Sequence, residues 1–140
     1  MRSRTLAKSG IGILTAVVSV AGVVLSAGSA SANSCSVTSP WGHRGKYMCG
    51  TDLYAGKADW DHDGRVDEMF VIAPNRTIWH DWKNSGGWKV MPGNGRADNV
   101  DGTRADAYQR CVWVYVRSGQ THWKNCFYSG TWHNWAYDPG

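Results

Sequence analysis

Residues 59–88 read D-W-D-H-D-G-R-V-D-E-M-F-V-I-A-P-N-R-T-I-W-H-D-W-K-N-S-G-G-W. An acidic loop opens the stretch, an apolar run follows at 69–73, and Pro74-Asn75 interrupts it before a second run at 76–82. Ser85-Gly86-Gly87 is a further turn, leading into 88–91. Short runs rich in β-branched and aromatic residues, separated by turn dipeptides, predict three antiparallel strands. With Pro74-Asn75 as a two-residue hairpin loop, Phe70, Ile72, Thr77 and Trp79 share one face of the sheet.

The rest of the chain echoes this stretch. A shift of 44 residues lays Val114 on Phe70, Val116 on Ile72, Thr121 on Thr77, Trp123 on Trp79, Gly130 on Gly86 and Trp132 on Trp88. Upstream, Gly-Lys-Ala-Asp at 56–59 recurs as Gly-Arg-Ala-Asp at 95–98. The reading is an all-β, antiparallel domain made of two blade-like repeats, 56–94 and 95–140, preceded by a segment at 33–55 that covers a sheet edge. Val114, Val116, Thr121 and Trp123 form the expected inward face of the second repeat. Two blades are too few to close a ring. They either pack as a small sandwich or form part of a homo-oligomer that completes one.

Residues 1–32 carry the pattern of a secretory signal peptide: Arg2, Arg4 and Lys8, then a long apolar run, then Ala30-Ser31-Ala32. No second long apolar run follows, so no membrane span is expected. Removal of the leader lowers the formal net charge from +4 to +1. With no basic cluster left, the chain lacks the electrostatic footprint of a nucleic-acid binder. Export to the extracellular space makes disulfides plausible. Four cysteines allow three pairings. A turn centred on Ser118-Gly119 places Cys111 opposite Cys126 and leaves Cys35 to pair with Cys49. Each bridge would contribute about 3 kcal/mol.

In the acidic loop, Asp59, Asp61, Asp63 and Asp67 occupy positions 1, 3, 5 and 9, with Gly64 at position 6. Alternate side chains of a curling loop converge on one point, and Gly permits the bend, so a hard cation such as Ca2+ suits the spacing. The loop is not an EF-hand, because position 12 is Phe70 and a strand follows. It resembles the calcium loops of FG-GAP-type propeller blades, and the resemblance implies that Arg65 contributes its backbone carbonyl. The second loop keeps Asn99, Asp101 and Asp106 without the spacing, and weak or no metal binding is expected there.

Residues 77–88, T-I-W-H-D-W-K-N-S-G-G-W, resemble the repeats of Trp-rich β-propeller lectins of the tectonin type and of small bacterial two-repeat lectins. The resemblance implies binding of a glycan or cell-surface polysaccharide. Trp82, Trp88, Trp132 and Trp135 lie among polar residues near turns, and a flat indole suits the C–H face of a sugar. His80, Lys83, Asn84, Lys124, Asn125, His133 and Asn134 are the expected polar partners. Inter-blade packing and a protein interface are the competing roles for these four indoles, and core packing is the favoured role for Trp79 and Trp123.

No nucleophile-elbow, zincin or phosphate-loop motif is present, and the chain is read as non-catalytic. Two further classes stay open: a secreted toxin or enzyme inhibitor with a protein target, and a small glycan hydrolase using Glu68 and Asp81 as facing carboxylates.

Overall fold

Alternating apolar and polar positions become eleven short strands in the computed structural model, which describes residues 33–140; the expected leader at 1–32 lies outside them. In chain order they are β1 (Ser34–Thr38), β2 (Arg44–Met48), β3 (Lys57–Ala58), β4 (Glu68–Ile72), β5 (Ile78–Trp82), β6 (Lys89–Val90), β7 (Asn99–Ala105), β8 (Arg110–Val116), β9 (Thr121–Tyr128), β10 (Thr131–Trp132) and β11 (Ala136–Asp138). They form a β1-β2 hairpin, a sheet of order β3-β4-β5-β6, and a sheet of order β10-β9-β8-β7 in which β11 also pairs with β9. All pairings are antiparallel. The fold is all-β, and the described residues hold no α-helix, only a 3₁₀ turn at Arg117–Gly119.

The second hairpin has the expected register, with Cys111 opposite Cys126, Val114 opposite Trp123 and Val116 opposite Thr121. Its connection is longer than the expected two residues: the 3₁₀ turn and Gln120, in the left-handed region, surround the same centre. Both expected disulfides are present, Cys35–Cys49 and Cys111–Cys126.

The first hairpin departs from expectation by one residue. Its loop is Pro74, Asn75 and Arg76, closed by hydrogen bonds from Arg76 N to Ala73 O and from Ala73 N to Thr77 O. Arg76 takes a positive φ of 69°. Phe70 therefore faces His80, and Trp79 pairs with Val71. Because strand side chains alternate, a one-residue slip moves a whole strand to the other face. Trp79 consequently leaves the Phe70 and Ile72 face. Glu68 sits opposite Trp82, and Asp81 sits opposite Met69, so the two carboxylates lie on opposite faces of the sheet rather than facing each other. The strained Arg76 is held by a two-pronged ion pair, Nε to Asp98 Oδ1 at 2.8 Å and Nη2 to Asp98 Oδ2 at 3.0 Å. Burial pushes the Asp98 carboxyl up, but the Arg117 amide and the Arg76 guanidinium outweigh it and hold it below the usual range.

The two sheets close on one core of Trp60, Phe70, Ile72, Ile78, Met91, Val100, Val112 and Val114. The repeated Gly-x-Ala-Asp segments feed it. Ala58 and Ala97 are both fully buried in it, whereas Asp59 belongs to the acidic loop and Asp98 to the Arg76 ion pair. The repeats also interlock, since Arg96 of the second forms a bridge to Thr77 of the first. The β1-β2 hairpin covers a face of the first sheet, not its edge: Val37, Trp41, Tyr47 and Leu53 pack with Met69, Val71, Trp79 and Trp88 in a second cluster. Met69, Val71 and Trp79, on the odd-numbered face of β4 and β5, are apolar because this second layer shelters them.

Candidate functional site

At one end of the sandwich the first and second sheets part, leaving a cleft of about 620 Å³. Trp60, Trp82, Trp132 and Phe127 supply its aromatic walls, and Glu68, His80, Lys83 and Arg110 its polar groups. The one-residue shift in the first hairpin creates this arrangement, by placing Glu68, His80 and Trp82 on the face that looks toward the second sheet.

Trp132, on β10, reaches across to the first sheet. Its ring meets Phe70 edge-on at 5.5 Å and His80 at 6.1 Å. Trp82 lies 4.9 Å from the His80 ring and is 36% exposed, so its indole keeps a free face. At the floor, Glu68 and His80 are both buried. Glu68 Oε1 lies 2.6 Å from His80 Nδ1, and Oε2 accepts a hydrogen bond from Trp60 Nε1 at 3.0 Å. Arg110 stands over the Trp60 ring at 5.9 Å.

The acidic loop forms one wall of the same cleft, through Asp61 and Asp67. Asp59, Asp61 and Asp67 each bring a carboxylate oxygen within 4.8 Å of the others, a donor set that fits a hard divalent cation. Asp63 is absent from the cluster. It accepts from the Arg65 amide at 2.8 Å and lies 4.0 Å from the Arg65 guanidinium. Asp59 braces the bend by accepting from Asp63 N and Gly64 N, and Gly64 has a φ of 86°. The second acidic segment is spoken for. Asn99 accepts from Asp52 N, Asp101 pairs with His122, and Asp106 caps the turn at Tyr108 and Gln109.

Of the residues expected to contact ligand, Trp82, Trp132, His80 and Lys83 come together in the cleft. The others lie elsewhere. Trp88 is seated on Gly45, where a Cβ would fall 2.7 Å from its Nε1, and it donates to His43 O at 3.1 Å. Trp135 sits in the same way on Gly95, where a Cβ would fall 2.5 Å from Nε1. Both indoles lock one segment onto another by resting on bare backbone. Asn84 is an exposed turn residue with φ 69°. Asn125 is 1% exposed, and its amide donates to His133 O at 2.6 Å and accepts from His133 N at 3.0 Å. It thereby imitates a strand partner across the gap between β10 and β11. Trp60 is a site residue with no signal in the sequence reading, and Glu68, named there only as a partner of Asp81, pairs instead with His80. No protein-family model matches the chain, and neither a curated protein nor a solved structure does.

Proposed function

We propose that the protein is an exported, non-catalytic carbohydrate-binding module whose site is the inter-sheet cleft. One observation carries this reading: the exposed indole of Trp82 and the half-buried Trp132 stand beside hydrogen-bonding groups of His80, Lys83 and Arg110 in a single cleft of about 620 Å³. An aromatic platform takes the C–H face of a sugar, and polar groups at its edge take the hydroxyls. The two disulfides accord with an oxidising compartment.

The test is a glycan array probed with oxidised protein spanning 33–140, in millimolar calcium and in EDTA. Selective binding that fades in EDTA is expected. Trp82→Ala should weaken it by about tenfold or more, since losing a stacking platform is worth about 1.5 kcal/mol. Its unfolding midpoint should stay near wild type, because Trp82 sits at the cleft mouth. A blank array in both buffers would sink the glycan reading and favour a protein target, as for a toxin or inhibitor.

In the same reading, calcium at Asp59, Asp61 and Asp67 holds the loop that walls the cleft. With a dissociation constant of about 10⁻⁴ M, usual for extracellular modules, a hundredfold excess of calcium stabilises by about 2.7 kcal/mol. That raises Tm by about 10 °C or more in a domain of this size. Asp61→Ala should abolish the rise. Equal calcium responses in variant and wild type would remove the metal from the loop.

A further inference from the structure

We propose that Glu68 locks His80 in the tautomer protonated at Nδ1, so that Nε2 stands in the cleft as a bare acceptor that reads a hydroxyl of the ligand. Oε2 accepts from Trp60 Nε1 and Oε1 lies 2.6 Å from Nδ1, so the carboxyl group receives a donor on each oxygen and the imidazole nitrogen that faces it is the one that donates. Glu68 cannot swing away, since its other oxygen is tied to Trp60 Nε1 at 3.0 Å. Nor can the imidazole turn over freely. It stacks on Phe70 at 5.9 Å and 19°, with Trp82 at 4.9 Å and Trp132 at 6.1 Å around it.

Nε2 has no hydrogen-bond partner among the described residues, in contrast to Nδ1. It is not sealed in, because the fully enclosed polar side-chain atom lacking a partner among those residues is Trp135 Nε1, and the His80 ring lines the cleft. A lone pair at that point attracts O–H and repels carbonyl and carboxylate oxygens. The ligand edge that reaches it is therefore a hydrogen-bond donor, a hydroxyl where the ligand is a sugar, with the adjoining C–H face on the Trp82 indole. A site that hydrogen-bonds a hydroxyl discriminates strongly against the analogue lacking it. Glu68 is a positioning residue in this scheme, and His80 determines specificity. The identity of the donor as a sugar hydroxyl rests on the glycan reading above; the tautomer does not.

The test is a long-range ¹H–¹⁵N correlation spectrum of the ligand-free wild-type protein at pH 8, where an imidazole is ordinarily uncharged. His80 should show a protonated, pyrrole-type Nδ1 and an unprotonated, pyridine-type Nε2. A proton on Nε2, or an even exchange between tautomers, would overturn the proposal. Glu68→Gln should shift His80 toward the other tautomer and lower the array signal by about tenfold. Wild-type tautomer and wild-type array signal in that variant would also overturn it. The spectrum needs neither a ligand nor a variant. A blank wild-type array beside an Nδ1-protonated spectrum would defeat the glycan reading alone.

Discussion

Asp81→Ala lowers the stability of the domain by about 3 kcal/mol, because it strips a fully buried carboxylate from the donors gathered around it. His43 Nδ1 approaches the two Asp81 oxygens at 3.0 and 2.9 Å, Trp82 N donates at 3.0 Å, and the Ser85 hydroxyl donates as well. The Ser39 hydroxyl is a further donor to the same carboxylate. These groups come from the turn between β1 and β2, from β5 and from the turn after it. One side chain therefore fastens the N-terminal hairpin to the first sheet. Truncation leaves several donors without an acceptor at once, and urea denaturation at pH 7 measures the loss. A change under about 1 kcal/mol would show that water replaces the carboxylate.

The same residue sets an acid limit. Burial pushes the Asp81 carboxyl up, but hydrogen bonds from Ser39, Ser85 and His43, with the charge of His43, more than offset it and hold the carboxyl below its ordinary value. A carboxyl depressed in the folded state contributes stability that is complete above its unfolded pKa, about 3.9, and is lost as pH falls through the folded value. Asp98 behaves in the same direction through Arg117 and Arg76. Stability arising from these two groups is thus level above about pH 5 and falls below about pH 4. Asp81→Asn should be clearly less stable than wild type at pH 7, and the gap should narrow at pH 3. A gap that is constant or widens on acidification would contradict the assignment.

What the sequence made legible follows from where the chemistry is local. In the second hairpin a turn centred on Ser118-Gly119 brings two cysteines, Cys111 and Cys126, face to face, and the disulfide between them leaves no freedom for a slip. The first hairpin had no such constraint. Pro74-Asn75 resembles a two-residue loop, and nothing about Arg76 announces a left-handed residue, since its compensation is an ion pair with Asp98, distant in sequence. That one residue decided which face each side chain took, and so concealed the Glu68–His80 pair. Reading the loop as three residues would have set Glu68 opposite Trp82 beside His80 and exposed the cleft in outline. Trp88 and Trp135 were illegible for another reason. Their seats are glycines, Gly45 and Gly95, that only the folded chain brings near. The acidic loop was the most legible part, because its spacing is itself the geometry, yet Asp63 turns to its own loop backbone instead of joining the cluster.

Gly56→Ala should be as damaging as any core truncation, although it adds a single methyl group. A Cβ at Gly56 would fall 2.1 Å from the carbonyl oxygen of Phe70 and 3.1 Å from its carbonyl carbon. Both atoms belong to the backbone of β4, whose Phe70 amide donates to Gly56 O at 2.8 Å, so the obstacle is not a flexible side chain that can swing aside. The φ of Gly56 lies outside the left-handed region, so the penalty is close approach alone and not backbone conformation. Relief requires β3 to move off β4, which would disturb Ala58 and Phe70 in the shared core and the acidic loop between the two strands. Overpacking of this kind costs about 3 kcal/mol or more. Gly119→Ala is the matched control. Its Cβ would meet only the Thr121 side chain, at 3.3 Å, in an exposed turn, and the change should stay under about 1 kcal/mol. Denaturation midpoints of the two variants separate these outcomes. Near-wild-type stability for Gly56→Ala would mean that β3 does not lie against Phe70, and the acidic loop would lose the anchor that sets it at the cleft wall.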